Sequence, residues 1–176
     1  MDDVAEEAEL SKGTLYLYFK SKEDLYLAIN LRGMKILYDL FADAIKIPKT
    51  GLEKVYAIGK AYMRFFTAYP DYYNALMYFD SQDMKIEELH SKISECNIPG
   101  QDALEILIEA LKIGIKDETI RSDIEPVRTA AILWGVTSGI IQLVSTKGDH
   151  LQDDHGINKD DLIESVFDFI KRSLQK

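Results

Sequence analysis

The chain has 176 residues, enough to bury a sizeable core, and with 47% hydrophobic and 29% charged residues it has the composition of a globular protein. Its formal net charge of -9 excludes a protein that coats nucleic acid with its whole surface, because Lys and Arg supply the non-specific affinity for phosphate. The single cysteine, Cys96, excludes an intramolecular disulfide, and no N-terminal segment has the pattern of a signal peptide, so we expect a cytoplasmic protein.

Apolar residues recur at three- and four-residue spacing along almost the whole chain, which predicts an all-α fold. The first two predicted helices are short and cover residues 3–8 and 12–19, with Ser11 placed to cap the second. Two helices joined by a three-residue turn are typical of a helix-turn-helix, whose second helix enters the major groove of DNA. Residues 11–22 also contain three lysines and no acid, so any contact with DNA is expected there.

Longer helices follow, and capping residues and prolines mark their ends. Ser21 and Asp24 form a predicted capping box that opens a long helix over residues 22–46. Thr50 and Glu53 form a second box, which opens a helix that ends before Pro70. A short helix is predicted from Pro70 to residue 79, and another over 84–94. A Pro-Gly break at 99–100 precedes a helix that ends near 116. The last two predicted helices cover 126–145 and the segment that follows a capping asparagine at 158.

The N-terminal segment resembles the DNA-binding signature of TetR-family regulators. The resemblance lies in residues 4–26, which read VAEEAELSKGTLYLYFKSKEDLY. It implies a TetR-like all-α fold, with a DNA-binding helix-turn-helix and connecting helix over residues 1–46 and a ligand-binding and dimerisation domain over residues 47–176. It also assigns contact with a double-stranded DNA operator to Ser11, Lys12, Gly13, Thr14, Tyr16, Tyr18 and Lys22.

The chain departs from the family pattern in two places. Glu9 stands where the family turn has glycine, and a positive φ at this position would cost a side-chain-bearing residue about 1 kcal/mol. The family also has a helix ahead of the helix-turn-helix, whereas this chain begins at Met1 inside the second helix. We therefore expect an incomplete DNA-binding half, with mobile N-terminal residues and stronger DNA binding once the first helix is restored.

Aromatic residues and methionines are concentrated between residues 56 and 79, and this composition suits a pocket for an apolar or amphipathic molecule. The resemblance implies that such a molecule is an inducer, which shifts the long helix beginning at Lys22 and so releases a repressor from its operator. The candidate ligand-binding residues are Tyr62, Phe65, Phe66, Tyr69, Tyr73, Met77 and Trp134.

The helix over residues 126–145 is apolar on nearly all sides, which predicts that it is buried on all sides. We therefore expect a two-fold homodimer in which the last two helices of each chain form a four-helix bundle. The candidate interface residues are Trp134, Gly135, Gly139, Ile163, Val166, Phe167 and Ile170.

Other kinds of function have little support in the sequence. No Gly-rich phosphate loop or nucleophile motif is present, so we expect neither enzymatic activity nor a cofactor. The histidines at 150 and 155 lie among aspartates in a predicted loop without tight ligand spacing, so no metal is expected. The apolar stretch near 129–146 is interpreted as protein core rather than a membrane span. The alternative function is a helical ligand-binding or protein-interaction module without competent DNA binding.

Overall fold

A computed structural model describes residues 1–81 and 99–176, and these residues form helices joined by short connections. The helices are α1 (Asp2–Glu7), α2 (Lys12–Tyr18), α3 (Lys22–Ala44), α4 (Gly51–Ala68), α5 (Pro70–Ser81), α6 (Pro99–Lys116), α7 (Pro126–His155) and α8 (Lys159–Leu174). Extended pairing in the described part of the chain is limited to one bridge, between Ile120 and Gln175. The all-α prediction is therefore confirmed, while the helix predicted over 84–94 and Cys96 lie outside the described residues.

Local capping sets the starts of these helices. At α4 the predicted box is complete, because Thr50 accepts a hydrogen bond from the Glu53 amide and the Glu53 carboxylate accepts one from the Thr50 amide at 3.0 Å. At α3, Ser21 accepts a hydrogen bond from the Asp24 amide as predicted. The Asp24 carboxylate also accepts a hydrogen bond from the Lys20 amide at 3.0 Å.

α7 is ten residues longer than predicted and ends at Gly156, whose φ of +66° is a left-handed helix end. The predicted loop was wrong because the polar run after Ser145 contains no helix breaker ahead of Gly156 except Gly148. Gly148 stays helical and buried, since the aliphatic stem of Lys159 crosses α7 where a side chain at Gly148 would stand. The Lys159 ammonium then pairs with Asp149 at 2.7 Å.

The core lies where α3, α4 and α6 pack on one another, with α5 against α3, α7 against α6, and α8 against α7 and α4. Its largest fully buried apolar side chains are Phe65, Leu37, Leu111, Ile120 and Ile141. Because α3 runs from the end of α2 into this core, it connects the helix-turn-helix to the helical body of the protein.

Candidate functional site

α1 and α2 form the predicted helix-turn-helix pair. Ala5 on α1 and Leu15 on α2 are buried, the two helices contact each other, and the Leu10 amide donates to the Ala5 carbonyl across the turn at 2.8 Å. Glu9 has a φ of +54°, so the turn does need the left-handed conformation at the position where the family has glycine. The N-terminus of α2 is capped by Ser11, whose hydroxyl accepts from the Thr14 amide at 3.0 Å.

The seven residues assigned to DNA contact lie on the outer side of this unit. Thr14 is half-buried, and the other six are exposed. Leu15 faces inward between them, so α2 has one buried side and presents the rest of its surface to solvent. The Lys22 side chain is exposed in the first turn of α3.

One of the proposed DNA contacts is held by an acid in the free protein. The Lys12 ammonium lies 2.7 Å from the Asp2 carboxylate of α1. Their hydrogen bond raises the pKa of Lys12 and lowers the pKa of Asp2, so both groups are charged at neutral pH. Because both side chains are well exposed, the pair adds little to stability, and its main effect is to neutralise the positive charge of Lys12.

We expect Asp2→Asn to strengthen binding to double-stranded DNA several-fold, because it frees Lys12 to displace one more counterion from the duplex. The plot of log affinity against log salt should become steeper by about one unit. Asp3→Asn is the matched control, since it removes an equal charge from α1 without breaking the bond to Lys12. Equal gains for both variants would show that net charge, and not the ion pair, controls affinity.

A cavity of about 410 Å³ opens among α3, α4, α6, α7 and α8. This volume lies in the range of ordinary small-molecule sites. The wall is largely apolar, and its large aliphatic and aromatic side chains are Phe41, Leu52, Val55, Tyr56, Ile58, Tyr62, Leu107, Leu133, Trp134, Phe167, Ile170 and Leu174.

The hydroxyl groups of Tyr62 and Thr137 in the cavity wall are already hydrogen-bonded within the protein. The Tyr62 hydroxyl lies 2.9 Å from the Ser138 hydroxyl, which joins α4 to α7. Thr137 donates to the Leu133 carbonyl one turn earlier in α7 at 2.8 Å. An apolar molecule could fill the interior without leaving these groups unpaired, whereas a highly polar one would find few partners.

Charged side chains stand where the cavity meets solvent. They are Glu53 at the start of α4, and Asp168 and Lys171 on α8, and all three are exposed. The Glu53 carboxylate accepts hydrogen bonds from the Thr50 and Lys49 amides, which lower its pKa. An apolar interior with a charged opening fits an amphipathic ligand whose polar end remains at the surface.

The structure separates the candidate ligand residues into two groups. Tyr62 and Trp134 line the cavity, with their ring centroids 5.4 Å apart. The other five residues do not line the cavity and pack in or against the core; they are Phe65, Phe66, Tyr69, Tyr73 and Met77. Burial there raises the pKa of the Tyr73 phenol. The aromatic cluster is thus mainly core behind the wall.

For most residues of the cavity wall, the sequence pattern does not predict that they line a cavity. Phe41, Leu107 and Leu174 come from helices that are distant along the chain, and each belongs to an ordinary apolar stripe. Phe167, a candidate interface residue, lies inside the chain, because Gly59 has no side chain and lets the ring approach α4. Its ring contacts Tyr56 edge to face at 5.5 Å.

The remaining candidate interface residues lie partly on an open face of α7. Gly135 and Gly139 are exposed, with nothing within 4 Å of the position of an added Cβ. Ile132 is 57% exposed on the same side, opposite the buried residues of α7. Trp134, Ile163, Val166 and Ile170 are half-buried.

Among the described residues α7 is also the one helix long and apolar enough to cross a membrane, and one of its faces packs on α6 and α8.

The histidines at 150 and 155 lie in the last turns of α7 and not in a loop, which corrects their predicted placement. Over residues 1–81 and 99–176, no group of three His, Cys, Asp or Glu side chains is close enough to hold a metal ion. One partner of this segment is instead Lys159, which pairs with Asp149.

Comparisons with known proteins bear on both parts of the chain. Residues 1–29 match the family model described as bacterial regulatory proteins, tetR family. No curated protein matches the chain at a significant level.

Solved structures share the fold over nearly the whole length. The TetR family transcriptional regulator PfmR from Thermus thermophilus is similar with a TM-score of 0.72 and 19% identity, over 99% of this chain and 88% of that one. FadR from Bacillus subtilis, in complex with stearoyl-CoA, is similar with a TM-score of 0.71 and 21% identity, over 97% and 86%. The ketosteroid transcriptional regulator KstR2 of Mycobacterium tuberculosis gives 0.71 and 15%, over 99% and 84%.

Proposed function

We propose that this chain is a cytoplasmic homodimeric repressor that leaves its operator when a small apolar or amphipathic molecule enters the cavity. Its N-terminal segment and its overall fold are those of TetR-family transcriptional regulators. In this proposal residues 1–46 read DNA and residues 47–176 bind the ligand and the second subunit. Ser11, Lys12, Gly13, Thr14, Tyr16, Tyr18 and Lys22 form the DNA-contacting surface.

The observation that carries the proposal is the position of Phe41. This residue lines the cavity and lies on α3, the helix that begins directly after the helix-turn-helix. From Lys22 to Phe41 the helix spans about 28 Å at 1.5 Å per residue. A ligand that displaces Phe41 therefore acts on a rigid element whose other end carries α2.

Release would follow from the spacing of the two α2 helices in a dimer. A two-fold dimer reads half-sites about 34 to 36 Å apart, so a movement of a few ångströms prevents both α2 helices from engaging at once. The ligand must bind the released state more tightly than the DNA-bound state, because a ligand with equal affinity for both shifts nothing.

The ligand-binding half of the proposal can be tested with the fluorescence of Trp134, the single tryptophan of the chain, which lines the cavity. Stearoyl-CoA is a suitable first probe, because FadR of Bacillus subtilis shares this fold and forms a complex with it. We expect saturable changes in Trp134 emission. Thr137→Met should lower the affinity at least about tenfold by filling the cavity with a larger side chain.

Thr67→Met is the matched control. Thr67 also donates its hydroxyl to a carbonyl one turn earlier on a helix, but it is exposed at the end of α4 and away from the cavity. If Thr137→Met and Thr67→Met bind the probe as tightly as the parent chain, the cavity is not the site.

The DNA half can be tested by selection from a random double-stranded library, followed by titration of the selected DNA with and without the probe. We expect the probe to lower the affinity for DNA at constant salt. If DNA is enriched but the bound probe leaves affinity unchanged, the chain is a regulator that does not respond to this ligand. If no DNA is enriched while the probe binds, the alternative of a helical ligand-binding module without competent DNA binding is supported.

A further inference from the structure

Leu17 is the most exposed apolar side chain of the helix-turn-helix, with 84% of its surface open to solvent. It lies two residues after the buried Leu15, so the helical turn places the two side chains on opposite sides of α2. A single exposed leucine is ordinary on a protein surface, and its exposure alone has no functional meaning.

Leu17 lies on α2, the helix that the proposed function places on DNA. Gly13 lies one turn earlier on the same outer line, and a Cβ there would meet only the Ser11 hydroxyl, at 3.8 Å. The outermost line of α2 therefore consists of an open glycine followed by an aliphatic side chain. Polar side chains, among them Thr14 and Lys12, stand beside this line.

We propose that Leu17 contacts the C5-methyl group of a thymine in the major groove and thereby selects thymine at one position of each operator half-site. The thymine methyl is the one apolar group among the base edges of the major groove. A leucine has no donor or acceptor, so among the groove-edge groups this methyl is the one that it can favour. The inference rests on the proposed function, since it requires α2 to lie in the groove.

The test replaces single thymines by deoxyuridine, which removes only the methyl group. The full chain first selects DNA from a random double-stranded library, and each thymine of the selected site is then exchanged in turn. For the parent chain we expect one position per half-site where uracil lowers affinity about fourfold, the loss for one methyl group taken from an apolar contact. For Leu17→Ala the same exchange should have no effect.

Ile47→Ala is the matched control, because Ile47 is an equally exposed aliphatic residue, at 89%, in the connection between α3 and α4. It should keep the fourfold penalty of the parent chain. If Leu17→Ala retains every thymine penalty, or loses affinity equally for all sites, the inference is overturned while the regulator assignment stands. If no DNA is enriched, the proposed function and this inference fail together.

Discussion

Replacing Gly139 with glutamate is expected to give a folded monomer that binds operator DNA at least about 100-fold more weakly than the parent chain. Nothing in the free chain lies within 4 Å of an added Cβ at this position, so the side chain meets no obstacle within its own protomer. Glutamate also favours a helix interior over glycine by roughly 0.5 to 1 kcal/mol. A loss of DNA binding in this variant would therefore not come from unfolding.

The expected effect comes from the open face of α7. Its buried residues follow one side of the helix, and Ile132, Gly135 and Gly139 follow the other. A face of small and aliphatic residues allows two helices to approach closely across a two-fold axis, and a carboxylate there would be buried without a partner. Without the dimer each α2 binds its half-site alone, which forfeits the gain of about 10² to 10⁴ that linked sites provide.

Light scattering at micromolar concentration and titration of the selected DNA at fixed salt measure the two consequences. Asn74→Glu is the control, because it adds the same charge at an exposed position of α5. If Gly139→Glu remains dimeric, the α7 face is not the interface. If the variant is monomeric but binds DNA as tightly as Asn74→Glu, the dimer is not needed for binding.

Gly51→Ala is expected to destabilise the folded chain by about 3 kcal/mol, the upper end of the cost of overpacking a core. Gly51 opens α4 and lies against the backbone of α6, where an added Cβ would overlap Gly114 and stand 2.6 Å from the Ala110 carbonyl oxygen. Backbone atoms of a buried helix cannot turn aside as a side chain can. The two helices must therefore separate, which also strains the hydrogen bond from the Gly51 amide to Asp117.

Thermal unfolding followed by circular dichroism should show a midpoint lower by roughly 10 °C for a chain of this length. Gly33→Ala is the control, since its nearest contact is the Tyr72 Cβ at 3.3 Å, and a small shift of α5 relieves it. An unchanged midpoint for Gly51→Ala would mean that α4 and α6 are not in this close contact. Because Thr50, Leu52 and Glu53 line the cavity beside Gly51, probe binding should weaken in parallel.

The helices and their caps could be predicted from the sequence because each depends on residues within about four positions of one another. The Thr50 box, the Asn158 cap and the proline at the start of α7 are of this kind, and all occur as predicted. The errors arose where a local pattern was ambiguous. A run of His and Asp resembles a loop in composition, yet it continues α7 because Gly148 is its one helix breaker ahead of Gly156, and Gly148 is covered by the side chain of Lys159.

By itself, then, the sequence determined the α-helical class, most helix boundaries and the helix-turn-helix signature, since these depend on neighbours along the chain. Tertiary packing alone decided which aromatic residues face a cavity, because apolar periodicity shows that a side chain is buried but not what it is buried against. Phe65 and Tyr62 are both buried on α4, yet only Tyr62 lines the cavity, and Phe167 lies inside the chain because Gly59 leaves room for its ring. That room is a property of two helices meeting at one point in space, more than a hundred residues apart in the chain.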